Sequence, residues 1–388
     1  MKKIAILHAA NTFNNGSFML LVNAIQLLNA KYENAQFFIE FNSIEDKQRL
    51  EKEINSDIRI EELPLAICKT TNAHFFTKAI NLYKKIYRHA KKMKKMGIDE
   101  IVILGGDDFS EYYKGKHIRF DLRRVKNYTK HLPVVMLSQS VGPFSGSRIK
   151  QARKCLAETK MLCREEISYQ YCSQDLGLKA AFPSSDLAFL DLPKQKSVKH
   201  EKKQIAIIPG GHYQLYTKNY KQYLLLWEKI IKFLLEHQEL TAYKLILLPH
   251  VTRPEDDRKI IQALDKKINN ERLAIVLDEK TPSELRHIIG ESYFTLSSRM
   301  HASISAFNQG KAAIVFAHSI KYEGIIGKDL SLSQLRIKKE AWENNSIIND
   351  FSSALSFLLA NKTEIEKNIT IKRDQFQENI KKQIQILN

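Results

Sequence analysis

Pro133 to Ser138 reads PVVMLS, an apolar run up to Leu137 that leads into the turn at Gly142-Pro143, and Ser147 to Glu158 follows it as a helix. A run of that length without polar alternation is the mark of a strand covered on both faces, as in a parallel sheet. Working back, Ile101 to Leu104 is a second buried strand ending at Gly105-Gly106, and Lys3 to His8 (KIAILH) is a third, followed by an Asn/Gly-rich turn and a helix from Ser17 to Ala30. Gln36 to Glu40 reads as a strand, Ser43 to Ile54 as a polar helix, and Phe75 to Met96 as a long basic amphipathic helix. The period is βαβ, which predicts an α/β fold.

The same period restarts further on. Between Asp191 and Gln204 the apolar signal vanishes; then Ile205 to Ile208 runs into Pro209-Gly210-Gly211, Tyr220 to Glu236 is helical, and Lys244 to Pro249, Leu273 to Leu277, Phe294 to Ser297 and Ala312 to Phe316 read as further strands. A chain of 388 residues exceeds what one core sustains, about 250 to 300 residues. The expected organisation is a first Rossmann-like domain over 1–190, a linker over 191–204, a second over 205–346, and a charged helical segment over 347–388 that packs back across the domains. Two α/β domains in series place a ligand crevice outside the strand carboxyl ends and between the domains.

With 61 Lys and Arg against 43 Asp and Glu, the formal charge is +18, a field that favours anionic partners. Much of it sits in stretches such as Lys84 to Lys95, for which a solvated helix face is the plain reading. Cys68, Cys155, Cys163 and Cys172 form no C-x-x-C pair and no zinc spacing, so reduced thiols in a cytosol are expected. Asn11, Asn14 and Asn15 interrupt the apolar start before a signal peptide could form, and no run reaches the 18 or so apolar residues of a membrane span. A cytoplasmic protein follows, with any membrane association peripheral. No Walker loop, dinucleotide fingerprint or nucleic-acid motif is present.

Chemistry concentrates at strand ends. Leu296-Ser-Ser-Arg-Met-His-Ala302 joins a buried strand to a helix, so Arg299 and His301 stand at a helix N-terminal turn, which favours anions and to which a guanidinium adds bidentate bonds. A histidine there is suited to proton donation near neutral pH. Gly105-Gly106-Asp107 offers close backbone approach and an acid for sugar hydroxyls, although a tight turn explains it equally well. Asn15-Gly16 carries the same ambiguity. His212 and His250 end second-domain strands and border the cleft or cap loops. Arg164, beside Glu165 and Glu166, reads by itself as an ion-pair network.

Taken in order, these stations resemble the polysaccharide pyruvyltransferase family from the first strand to about Leu332: Asn15-Gly16, Gly105-Gly106-Asp107, Ser138-Gln139-Ser140-Val141-Gly142-Pro143-Phe144, Arg164-Glu165-x-x-Ser168, Leu176-Gly177, Asp186 to Phe189, Arg299-Met300-His301-Ala302, and Lys321 with Gly324 and Gly327. The resemblance implies two Rossmann-like domains facing across a cleft (GT-B-like) and transfer of pyruvate from phosphoenolpyruvate to two hydroxyls of a sugar as a ketal. It implies donor binding by Arg164, Arg299, Met300 and Lys321, with His301 as general acid. Asn15, Gly16, Gly105, Gly106, Asp107, Gln139, Gly210, His212, His250 and His318 would line the acceptor side or the cleft. Neither metal nor resident cofactor is required, phosphoenolpyruvate being a co-substrate. The partners implied are a lipid-linked or polymeric saccharide acceptor and an anionic membrane surface, not nucleic acid; oligomeric state is left open. Asp107-Asp108 stands where a third glycine is common, Ser138 where glycine is usual, and His318 where Tyr is frequent. A glycosyltransferase using a nucleotide sugar and a non-enzymatic binder of anionic surfaces are the competing readings.

Overall fold

The computed structural model describes residues 1–64, 87–111, 115–198, 200–344 and 346–387. Cys68 and the first half of the basic helix expected over Phe75 to Met96 lie outside them; His89–Lys95 is helical. The chain forms two compact units.

Among the described residues of the first unit, seven strands form one parallel sheet: β1 Lys3–Leu7, β2 Gln36–Ile39, β3 Arg59–Glu62, β4 Glu100–Leu104, β5 Val134–Gln139, β6 Lys160–Cys163 and β7 Ala181–Pro183, in the order β3-β2-β1-β4-β5-β6-β7. The central strands β4 and β5 are buried at every position, as the apolar runs over 101–104 and 134–137 require. Ile101, Ile103 and Met136 pack on one face with Leu122 and Val125 of the helix Ile118–Thr129.

The second unit has six described strands, β8 Gln204–Ile208, β9 Lys244–Leu247, β10 Leu273–Ile275, β11 Thr295–Ser297, β12 Ala313–Ala317 and β13 Arg336–Lys338, again all parallel, in the order β10-β9-β8-β11-β12-β13. Its core holds Trp227, Trp342, Tyr223 and Phe316 in mutual ring contact. Short edge strands β3, β7 and β13 carry little apolar signal and were not read from the sequence.

The chain crosses between units more often than the sequence suggested. Phe13–Met19 groups with the second unit, to which the Asn15 N–H is bonded at the His250 carbonyl (3.1 Å) and the Thr252 N–H at the Phe13 carbonyl (3.0 Å). The long helix Ile347–Gln385 belongs to the second unit up to Gln377, where Phe376 packs on Phe189, and to the first from Glu378, where Lys31 Nζ reaches the Ile384 carbonyl at 2.8 Å.

Candidate active site

In the second sheet the order of strands reverses direction between β8 and β11. Their register pairs Ser297 with Ile208, so both carboxyl ends emerge side by side at the point where an open α/β sheet parts to form a crevice. Pro209-Gly210-Gly211-His212 leaves one strand and Ser298-Arg299-Met300-His301 leaves the other. Ser298 ties them: its N–H donates to the Ile208 carbonyl (3.1 Å), its Oγ accepts from the Gly210 N–H (2.7 Å), and its carbonyl accepts from Tyr216 (3.0 Å) and Tyr322 (3.1 Å). Arg299 therefore starts from a fixed backbone.

Arg299 is the extended cap residue of the helix Met300–Asn308. Its Nη2 donates to Asp257 Oδ1 at 2.6 Å and its Nε to Oδ2 at 3.3 Å. Asp257 is fully buried and accepts three backbone N–H bonds besides, from Gly211 (2.6 Å), His250 (3.1 Å) and Val251 (2.9 Å). Burial works against the guanidinium's charge and the Asp257 carboxylate outweighs it, so the Arg299 pKa is raised. One carboxylate thus fixes three loops. The sequence reading did not single out Asp257; the available signal was an acidic triplet, Glu255 to Asp257, six residues past the apolar run that ends at Pro249.

His301, one residue into the helix, packs on Gly16: a Cβ at Gly16 would lie 2.4 Å from His301 Nδ1, so only glycine fits beneath the ring. Asn15 donates its N–H and its Nδ2 to the His250 carbonyl, both at 3.1 Å, and its Oδ1 is buried with no hydrogen-bond partner among the described residues. His212 and His250 are buried. Burial first, then the Arg299, His318 and Lys321 charges, push His212 well below the ordinary value; burial, then His301 and Arg299, do the same to His250. Both rings are neutral at pH 7. His212 Nδ1 has no partner among the described residues, and a Cβ at Gly210 would meet that ring at 2.3 Å and Arg299 Nε at 2.9 Å. His318 Nδ1 lies 2.9 Å from the Tyr216 hydroxyl. The Met300 side chain is buried, which leaves its position at the helix start, where backbone N–H groups are unpaired, as what it offers a ligand. The second unit thus gathers Asn15, Gly16, Gly210, His212, His250, Arg299, Met300, His301, His318 and Lys321.

The remaining candidates lie in the first unit. Arg164 is 1% exposed, and each of its nitrogens has a protein acceptor: Nε donates to Ser140 Oγ (2.7 Å), Nη1 to Asp186 (3.1 Å) and Nη2 to Asp107. Its pKa is raised because Asp107 and Asp186 more than offset its burial. This guanidinium braces the turn after β4. Gly105 is required there, since a Cβ would fall 1.6 Å from the Ser138 carbonyl oxygen, whereas a Cβ at Gly106 would make only an ordinary contact, 4.0 Å from the Asp108 nitrogen. Gln139 is buried under the same turn, its Nε2 donating to the Ile103 carbonyl at 3.2 Å.

Residues 14–320 match the family model described as polysaccharide pyruvyl transferase. The amylovoran biosynthesis protein AmsJ of Erwinia amylovora is 22% identical over 363 residues, covering 87% of this chain and 84% of its own length. Among solved structures, the S. aureus MnaA-UDP co-structure matches with a TM-score of 0.60 at 12% identity, over 95% of this chain and 91% of that one. The UDP-GlcNAc 2-epimerase of Methanocaldococcus jannaschii with UDP-GlcNAc and UDP matches with a TM-score of 0.56 at 12% identity, over 92% and 93%. A glycosyltransferase from Rickettsia africae matches with a TM-score of 0.51 at 13% identity, over 100% and 97%. At such identities the likeness concerns the fold, which is GT-B-like: α/β with two parallel sheets.

Proposed function

The chain belongs to the polysaccharide pyruvyl transferase family, and from that premise we propose that it transfers the pyruvyl group of phosphoenolpyruvate to two hydroxyls of one sugar in a bacterial surface-glycan precursor, forming a pyruvate ketal and releasing phosphate. The AmsJ relative, named for the biosynthesis of a polysaccharide, supports a role in polysaccharide synthesis.

The observation that carries the reading is Arg299 fixed by buried Asp257 at the strand-order reversal of the second sheet, with His301 seated on Gly16 beside it. In the proposed reaction Arg299, Lys321 and the helix-start N–H groups hold the anionic donor, each charge-assisted bond contributing about 1.5 to 3 kcal/mol. His301 protonates the donor's methylene carbon. The adjacent carbon becomes oxocarbenium-like and is attacked by one hydroxyl; its bond to phosphate breaks, with the electron pair leaving on phosphate, and the second hydroxyl closes the ketal. Of the two hydroxyl protons, one replaces that given by His301 and the other ends on phosphate. His212 and His250, neutral through burial, shape the pocket without adding charge. Arg164 serves by fixing the turn after β4.

Thermal unfolding with millimolar phosphoenolpyruvate tests the donor. A ligand bound only by the folded state raises its stability by mass action. Phosphoenolpyruvate should raise the midpoint of the wild type, Arg299→Ala should abolish the rise, and His301→Ala should largely keep it while losing turnover. A rise with UDP-sugars or CMP-sugars alone would leave the fold standing and sink the reaction.

A further inference from the structure

The loop that leaves β9 carries three consecutive carboxylates, Glu255, Asp256 and Asp257, and each is held differently. Asp257 is buried and saturated: besides Arg299 it accepts N–H bonds from Gly211, His250 and Val251. Asp256 is clamped by Arg258, whose Nε and Nη2 both donate to it at 2.8 Å. The Glu255 side chain is 61% exposed, and its Oε2 lies 3.8 Å from Arg299 Nη1, outside hydrogen-bond range. Among the described residues it has no closer partner.

The bonding of Arg299 gives that contact its meaning. Its Nε and Nη2 both donate to Asp257, at 3.3 and 2.6 Å, which leaves Nη1 as the guanidinium nitrogen with no hydrogen bond among the described residues. A guanidinium has donors only, so Nη1 is the nitrogen whose N–H groups remain to be offered to an anion. Against burial, Asp257 and after it Glu255 raise the Arg299 pKa, so the guanidinium stays charged. The loop is held on both sides of Glu255. The Arg253 guanidinium lies 3.8 Å from the centre of the Phe13 ring and 3.6 Å from Glu279, and the Asp257 N–H donates to the Val251 carbonyl at 2.9 Å. The backbone under Glu255 is therefore fixed, whereas its long side chain is not bonded into place. All these groups belong to the second unit.

We infer that Glu255 is a resident counter-anion for Arg299, which the anionic group of the donor must displace from Nη1. Asp257 cannot play this part, since its departure would also strand three backbone N–H groups. A phosphate or carboxylate bonded to Nη1 sits about 2.7 to 2.9 Å from it, and Glu255 approaches the same nitrogen, so the two anions repel each other. Moving Glu255 aside costs little, because an ion pair open to water is weak. Glu255 therefore loosens the hold on the donor and on released phosphate alike, and the product does not stay on the arginine. The inference rests on Arg299 as the donor's anion anchor, as the pyruvyl-transfer reading has it, and no residue of the first unit enters it.

The test titrates the full chain with phosphoenolpyruvate and, separately, with inorganic phosphate, and takes apparent Kd values from the rise of the thermal midpoint. Glu255→Gln should tighten both anions by about 5-fold, while the midpoint without ligand hardly moves, as expected of an exposed position. Glu255→Ala should do the same, which separates removal of the charge from a new amide hydrogen bond. Glu279→Gln is the control: it removes a carboxylate that faces Arg253 and Arg258 instead of Arg299, and should change either Kd by less than about twofold. Unchanged or weaker binding in the two Glu255 variants would overturn the inference, as would a gain in Glu255→Gln alone. Equal gains in Glu255→Gln and Glu279→Gln would also overturn it, since a long-range field would then replace the contact. Tighter phosphate in the Glu255 variants with no response to phosphoenolpyruvate in any protein would keep the counter-anion and sink the pyruvyl reading. No response to either anion in any protein would overturn both.

Discussion

Asp257 shows how one side chain can organise a site while contributing no chemistry. It is fully buried, paired with Arg299, and saturated by three backbone N–H groups from two loops. Removing a buried ion-pair partner leaves an uncompensated charge and unpaired donors, which costs about 3–5 kcal/mol. Asp257→Ala should lose that much in urea unfolding and lose the phosphoenolpyruvate rise as well. A variant of unchanged midpoint would mean that Arg299 is held by other groups. The sequence singled out Arg299 from its strand-to-helix setting, but its partner lies 42 residues away and reaches it only through the fold. Asp107 and Asp108 teach the same lesson at closer range: adjacent identical residues differ in role because the turn sends one toward Arg164 and the other toward His8.

Among the elements, the strands legible in the sequence were those buried on both faces, since burial there favours a run of consecutive apolar residues. β8 (QIAII) and β12 (AIVFA) are buried throughout. β3 (RIEE) is almost wholly exposed and β13 (RIK) only partly buried; edge strands need little apolar surface and announce themselves weakly. The loops after β8 and β9 carry a pH signature. His212 and His250 are held neutral by burial, so their folded pKa values lie below the ordinary 6.5 that they regain on unfolding. Above about pH 6.5 neither state takes up the proton and the two residues leave stability unchanged. As pH falls below that value the unfolded chain binds protons that the fold refuses, lowering stability by up to about 1.4 kcal/mol per pH unit for each histidine. Thermal midpoints from pH 7.5 to 5.5 should therefore fall more steeply in wild type than in a His212→Gln, His250→Gln double variant. Parallel slopes would show that the two rings titrate normally.

For the whole molecule, the formal charge of +18 joins the observation that, among the described residues, no helix is long and apolar enough to cross a membrane. Lys91, Lys92, Lys94 and Lys95 lie exposed on the helix His89–Lys95. A lipid-linked acceptor would sit at an anionic membrane face, whose negative potential attracts such segments with about 1 kcal/mol per basic residue near the surface. The protein should float with vesicles containing phosphatidylglycerol and not with neutral phosphatidylcholine vesicles, and raised salt should release it. Equal flotation with both vesicle types, or with neither, would count against an electrostatic attachment.

The sequence by itself determined the α/β class, the doubled Rossmann-like period and the family, because these rest on unbroken apolar runs, on glycines at strand ends and on motifs in a set order. All are local properties of the chain. The tertiary structure alone decided which charges meet. It closed Arg164 between Asp107 and Asp186, gave Arg299 to Asp257, set His301 on Gly16, and brought His8 from the end of β1 to Asp108 beyond β4. Those pairings depend on strand order and register, which place residues 22 to about 285 positions apart within contact and leave no periodic trace in the sequence.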